Sequence, residues 1–115
     1  MKLRYYLPAL LLLASASAFS AAVRNKEEAT KIAIAAIHTY HLTALNDECG
    51  VVTAREKPSY FDIEVRERHT PECGGTPETG PRLFTLRVRK QDGAVTSDVY
   101  DGATYRPVDH KLRKH

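Results

Sequence analysis

Residues 60–68 read Tyr-Phe-Asp-Ile-Glu-Val-Arg-Glu-Arg, and residues 83–90 read Leu-Phe-Thr-Leu-Arg-Val-Arg-Lys. In both stretches an apolar side chain alternates with a polar one, which is the period of a β-strand with one buried face. Two neighbouring strands are therefore predicted, with charged outer faces that can form cross-strand ion pairs. The side chains expected to face the core are Phe61, Ile63, Val65, Phe84, Leu86 and Val88. The outer residues expected to pair are Asp62, Glu64 and Arg66 opposite Arg87 and Arg89.

Two further strands are predicted, one on each side of this pair. A short strand near residues 50–56 precedes the turn Lys57-Pro58-Ser59, since proline presets a turn dihedral and cannot join a central ladder. Asp92-Gly93 is the dipeptide preferred in type I′ hairpins. A returning strand is therefore expected over residues 94–100.

A helix is predicted before the strands, from about Lys26 to Leu45. Asn25 is a favoured N-cap, Glu28 lies at the capping-box position, and acids suit the positive end of the helix dipole. Apolar residues recur at three- and four-residue spacing and form one face. The predicted fold class is α+β, with one long N-terminal helix packed on a three- or four-stranded antiparallel sheet and one disulfide. The helical face consists of Ala29, Ile32, Ala33, Ala36, Ile37, Tyr40 and Ala44.

The first twenty residues have the anatomy of a secretory signal peptide. Lys2 and Arg4 precede a short apolar core at residues 5–13, and small residues follow at 14–22. The protein is therefore expected to be periplasmic or secreted, and soluble with no membrane attachment after signal removal. We divide the chain into a signal peptide (1–20), a single α+β domain (21–105) and a polar basic tail (106–115). Cleavage is expected after Ala18, Ser20 or Ala22.

Signal removal also changes the charge of the working protein. The full chain has 17 basic and 14 acidic residues and a formal net charge of +3. Lys2 and Arg4 leave with the signal peptide, which lowers that charge to +1. A nucleic-acid-binding protein is expected to have a basic face, so we predict that nucleic acid is not a partner.

Cys49 and Cys73 are the only cysteines in the chain. In an exported protein they are expected to form a disulfide. A redox site usually contains Cys-x-x-Cys, and a zinc site needs more ligands at short spacing. His38 and His41 lack the further ligands of a metal site, and neither phosphate loop nor nucleophile–base pattern is present. We therefore predict that the protein has no metal, no cofactor and no enzymatic activity. The least favoured alternative is a small hydrolase that uses His38 and His41.

The segment between the two alternating strands, residues 69–82, contains three prolines and three glycines. A hairpin needs only two to five loop residues, so this connection exceeds what chain reversal requires. Prolines and a cross-link preorganise a binding loop. Alternatively, the disulfide stabilises a long surface loop in a small domain, and the two interpretations are compatible. The candidate partner-binding residues are Glu72, Gly74, Gly75, Thr76, Glu78 and Arg82.

The helix opening Lys26-Glu27-Glu28-Ala29, the two alternating strands and the turn Asp92-Gly93-Ala94-Val95 together resemble the PepSY pattern. The resemblance implies a small exported α+β module, and several such modules inhibit or chaperone peptidases. The Cys73-Gly74-Gly75 loop departs from this pattern. The overall plan is also similar to periplasmic lysozyme inhibitors and to immunity proteins that neutralise type VI secretion effectors attacking the cell wall.

Two functions follow as expectations. The first is a periplasmic inhibitor or immunity protein that occludes a cell-envelope hydrolase or toxin through the disulfide-pinned loop. The second is a PepSY-type accessory module that regulates an envelope peptidase or a stress response through its sheet face. Both have a protein partner, and neither specifies an oligomeric state.

Overall fold

The computed structural model describes residues 21–111, so the predicted signal peptide lies outside the described residues. Within them the chain forms one α-helix, a short 3-10 helix (Asp47–Cys49) and five strands. The strands make a single antiparallel sheet in the order β1-β2-β3-β4-β5. The predicted α+β class is confirmed, and the expected three or four strands are corrected to five. The elements are α1 (Lys26–Thr39), β1 (Gly50–Glu56), β2 (Tyr60–Glu67), β3 (Arg82–Arg89), β4 (Val95–Ser97) and β5 (Arg106–Pro107).

The core lies between α1 and the inner face of β1, β2 and β3. Two fully buried alanines of α1, Ala29 and Ala33, allow the helix to approach the sheet closely. The six strand residues predicted to face inward are all buried, so the predicted register of faces is confirmed. Burial of a side chain such as Phe61 or Leu86 contributes roughly 1.5–3 kcal/mol.

The helix starts as predicted but ends six residues earlier than expected. The Asn25 side chain accepts a hydrogen bond from the Glu28 backbone N–H at 2.9 Å. At the other end, His41 has a φ of 48° and donates its N–H to the His38 carbonyl, while Leu42 donates to the Ile37 carbonyl. This is the Schellman arrangement, which usually has glycine in the left-handed position. Burial of Leu42 in the core, where it is 1% exposed, accounts for the early stop.

The connection between β3 and β4 is not the predicted type I′ turn. That turn needs positive φ at both central residues, whereas Gly93 has a φ of 76° and Asp92 does not have a positive φ. The Gly93 N–H donates to the Arg89 carbonyl at 2.8 Å, and Arg89 N–H donates to the Ala94 carbonyl. The loop therefore has four residues, and the Asp92 carboxylate stabilises it by accepting the Ala94 N–H.

Strand β4 is shorter than the expected 94–100. The Asp98 carboxylate accepts the Thr85 backbone N–H at 2.9 Å, and the Ser97 hydroxyl donates to the Thr85 carbonyl at 2.8 Å. The Asp98 carboxylate thus accepts the Thr85 N–H that a backbone carbonyl would accept in a continued ladder, and the Asp98 N–H reaches the Thr85 carbonyl only at 3.4 Å. Regular pairing of β4 therefore stops at Ser97.

The start of the predicted tail belongs to the sheet. Arg106–Pro107 forms β5 and pairs with β4. The next residue, Val108, donates its N–H to the Val95 carbonyl at 3.1 Å, and the His110 ring stacks on Tyr100. The expectation of a tail separate from the domain is therefore corrected for residues 106–110. No helix among residues 21–111 has the length and apolar character that a membrane crossing requires.

Candidate functional site

The predicted disulfide is present and pins the β2–β3 loop. Cys49 lies at the end of the short 3-10 helix before β1, and Cys73 lies in the middle of the loop, with the two Cα atoms 5.6 Å apart. The Arg68 N–H donates to the Cys49 carbonyl at 2.8 Å, which fixes the start of the loop beside the same helix. A disulfide is consistent with an oxidising compartment.

The His69 side chain is the centre of the loop, and it is only 12% exposed. Its Nε2 lies 2.7 Å from the Glu67 carboxylate, and its Nδ1 lies 2.8 Å from the Thr76 carbonyl oxygen. Both partners accept hydrogen bonds, so the protonated imidazole can donate to both. The pKa of His69 is raised above its ordinary value of 6.5, mainly by the hydrogen bond to Glu67 and then by the one to Thr76.

Gly75 lies against the ring of His69. It has a φ of 83°, and a Cβ added there would lie 2.6 Å from three atoms of that ring. Glycine is therefore required at this position by the backbone conformation and by the close approach. The neighbouring Gly74 has the same φ, but an added Cβ would meet nothing within 4 Å.

The end of the loop is fixed to β2 by backbone contacts. The Arg66 guanidinium donates to the Gly80 carbonyl at 2.8 Å, and the Glu67 N–H donates to the Pro81 carbonyl at 3.0 Å. These bonds lie where the β2–β3 register shifts between Val65 and Arg66. The loop is therefore held at its start, at its centre and at its end.

Five of the six candidate contact residues lie on the exposed part of the loop, namely Glu72, Gly74, Gly75, Thr76 and Glu78. Arg82 is different, because it is the first residue of β3. Its guanidinium donates to the Thr85 hydroxyl at 2.9 Å and pairs with the Asp98 carboxylate at 3.2 Å. The assignment of Arg82 to the loop is corrected, since its side chain is bound within the sheet.

The predicted ion pairs on the outer sheet face form only in part. Arg87 stands opposite Asp62 in the register, with Nε and Oδ1 3.5 Å apart. Arg66 pairs instead with Glu64, two residues before it in the same strand. Arg89 pairs with Asp92 of the following loop, and the hydrogen bond from Arg89 is the main cause of a lowered pKa of Asp92, to about 2.

Residues 21–111 contain no group of three or more His, Cys, Asp or Glu side chains placed to hold a metal ion. His38 Nε2 lies 3.0 Å from the Asp47 carboxylate. His41 lies beyond the end of α1 and does not share a helical face with His38. The two histidines of the hydrolase alternative are therefore not brought together on one face of α1.

His69 and its partner Glu67 are not among the residues predicted from the sequence. Two signals could have identified them: a histidine at the first position of a long proline- and glycine-rich loop, and an acid two residues before it. The partner Thr76 carbonyl could not have been identified, because a backbone group has no signature in sequence.

Comparisons with family models, with curated proteins and with solved structures find no match to this chain. The PepSY resemblance therefore stays a prediction.

Proposed function

We propose that this chain is an exported binding protein of the inhibitor or immunity kind, which occludes a cell-envelope hydrolase with its β2–β3 loop. One observation carries the proposal: the backbone of the loop is fixed by a disulfide and by His69, while its outer residues are exposed. A loop that is already ordered loses little conformational entropy when it docks. Such a loop suits insertion into the cleft of an enzyme.

The exposed side chains indicate the kind of surface that the loop fits. Glu72 and Glu78 add two carboxylates to the outer part of the loop, and Thr76 adds a hydroxyl. Complementary potentials accelerate association and select partners. We therefore expect a target whose cleft has basic residues at its rim.

The proposed compartment is the periplasm or the extracellular space. The disulfide supports an oxidising location. The predicted signal peptide supports the same location from the sequence.

The test is an inhibition assay with the mature protein, purified peptidoglycan and a panel of lysozyme-type, amidase and endopeptidase hydrolases. The triple variant Glu72→Ala, Thr76→Ala, Glu78→Ala should weaken inhibition at least tenfold, about what the loss of one or two charged contacts costs. A matched control is the double variant Glu27→Ala, Lys31→Ala on the exposed side of α1, which should inhibit like the wild type.

The Cys49→Ser variant should also weaken inhibition, because the loop loses its pin to the 3-10 helix. Undiminished inhibition by the triple variant, with its fold intact by circular dichroism, would refute the loop model. Absence of inhibition across the panel would refute the hydrolase assignment.

A second candidate is a PepSY-type accessory module that regulates an envelope peptidase or stress response through its outer sheet face. It is favoured by one observation: the Arg87 guanidinium on that face lies close to two tyrosine rings, 4.9 Å from the centroid of Tyr60 and 3.7 Å from that of Tyr105. The double variant Glu64→Ala, Arg87→Ala distinguishes the candidates, since only the second predicts that partner binding is lost while the loop is intact.

A further inference from the structure

We propose that the outer face of the sheet contains a carboxylate-binding groove with Arg87 as its anchor. The groove lies on the side of the sheet opposite α1, has a volume of about 200 Å³ and is formed by β2, β3, β4 and adjoining turn residues. The groove is separate from the β2–β3 loop, so a test of this proposal does not depend on the hydrolase proposal. The residues that line the groove are Ser59, Tyr60, Arg87, Arg89, Ala94 and Thr96.

The Arg87 guanidinium is held in place by aromatic rings. Its central carbon lies 3.7 Å from the ring centroid of Tyr105 and 4.9 Å from that of Tyr60. Stacking of this kind orders a side chain that otherwise loses much rotamer freedom when it binds. The two tyrosines come from distant parts of the chain, so the sheet itself assembles the anchor.

Arg87 retains hydrogen-bonding capacity. Its Nε atom is shielded from solvent and has no hydrogen-bond partner within residues 21–111, and the same holds for Oδ1 of Asp62. These two atoms are 3.5 Å apart, so the ion pair neutralises charge without forming a hydrogen bond. Shielded polar atoms without a hydrogen-bond partner are rare in native proteins. Because Nε is closed to solvent and faces Asp62, a ligand would bind the two terminal Nη groups of Arg87.

The composition of the groove favours an anion. Its lining contains two guanidinium groups and three hydroxyl groups, and the balancing acids Asp62 and Asp92 are not part of it. Arg89 is already bound to the Asp92 carboxylate through both Nε and Nη2. Arg87 is therefore the guanidinium available to a ligand.

A carboxylate fits this anchor better than a phosphate. A guanidinium offers two parallel N–H donors that match the two oxygens of a carboxylate. A phosphate dianion calls for more positive charge than one arginine that already shares its charge with Asp62. The carboxylate can belong to an acidic side chain or chain end of a partner protein, or to a small free acid.

The test is a titration of the ¹⁵N-labelled mature protein. The readouts are the Nε–Hε signal of Arg87 and the backbone amide signals of the residues that line the groove, and the amide signals also serve for variants that lack Arg87. Sodium acetate is added at constant ionic strength against sodium chloride, and sodium phosphate is a third arm. A short peptide with a free C-terminal carboxylate is compared with its amide. We expect a saturable shift of the Arg87 signal with acetate or with the free-acid peptide, and none with chloride.

Three variants localise the effect. Arg87→Gln should weaken binding at least tenfold, as expected when a charge-assisted hydrogen bond is lost. Arg87→Lys should also weaken it, because a lysine keeps the charge but lacks the planar pair of donors. Arg55→Gln is the matched control, since Arg55 stands on the other side of Asp62 in the same cross-strand row and does not line the groove.

The wild-type titration decides the matter even if a variant fails to fold. The proposal would be overturned by an equal shift with chloride, by tighter binding of phosphate, or by no shift with either carboxylate probe. It would also be overturned if Arg55→Gln weakened carboxylate binding as much as Arg87→Gln. Binding of the peptide acid alone would identify a protein carboxylate as the ligand. Binding of acetate with no preference for the peptide acid over its amide would identify a small free acid.

Discussion

Replacing Gly75 with alanine should destabilise the protein far more than the same change at Gly74. Both glycines are exposed, are adjacent in sequence and have a φ of 83°. Alanine in this left-handed region costs about 1 kcal/mol at either position. At Gly75 the added Cβ also lies 2.6 Å from three atoms of the His69 ring, whereas at Gly74 it meets nothing within 4 Å.

The overlap at Gly75 cannot be relieved by a small side-chain movement. The His69 ring is held on one side by the Glu67 carboxylate and on the other by the Thr76 carbonyl. Overpacking of this kind costs about 2 kcal/mol. The expected loss of unfolding free energy is therefore about 3 kcal/mol for Gly75→Ala against about 1 kcal/mol for Gly74→Ala.

The measurement is urea unfolding of the oxidised proteins, followed by circular dichroism at constant pH. In a His69→Ala background the clash is removed, so the cost of Gly75→Ala should fall to that of Gly74→Ala. Equal costs for the two glycine variants in the wild-type background would refute the view that Gly75 is required by the packed histidine ring.

Three further predictions concern the same loop and its surroundings. Because the folded-state pKa of His69 lies above 6.5, its contribution to stability should be complete below pH 6.5 and should be lost as the pH rises through the folded-state pKa. Urea unfolding of the wild type and of His69→Gln at a series of pH values tests this. A parallel pH dependence in the variant would contradict it. Replacing both Cys49 and Cys73 with serine should lower the free energy of unfolding by about 3 kcal/mol, because the unfolded chain gains the entropy that the cross-link removed. The thermal unfolding midpoint should fall accordingly, and an unchanged midpoint would contradict this prediction. Arg82→Ala should lower the free energy of unfolding by about 2 kcal/mol, because it leaves the Asp98 carboxylate, which is 6% exposed, without its counter-charge. In urea unfolding, the Arg82→Ala, Asp98→Asn double variant should lose less stability than the sum of the two single changes.

The central strands could be predicted because their signal is local. Strict alternation of apolar and polar residues over 61–66 and 84–89 specifies which side chains face the core, whatever the rest of the chain does. The disulfide was equally predictable, since export to an oxidising compartment was expected and a single pair of cysteines allows one intramolecular pairing. The N-terminus of α1 was predictable as well, because the Asn25 cap acts on a residue three positions away.

The sequence indicated which loop to consider as the candidate site, but not which contacts hold that loop in place. Composition alone pointed to the loop at 69–82. Its organisation around His69 depends on a backbone carbonyl at Thr76, seven residues away, and on the absence of a side chain at Gly75. Arg82 was misassigned because its partner, Asp98, is 16 residues distant in sequence.

By itself the sequence determined the α+β class, the inward faces of the two central strands, the start of the helix and the disulfide. The tertiary structure decided where α1 ends, how the β3–β4 loop turns, that Arg106–Pro107 forms a fifth strand, and that Arg87 contacts two tyrosine rings. The physical reason is the range of the interactions. Periodicity and capping act within a few residues, whereas the burial of Leu42, the Arg82–Asp98 pair and the Arg87 stack depend on contacts that exist only once the sheet has formed.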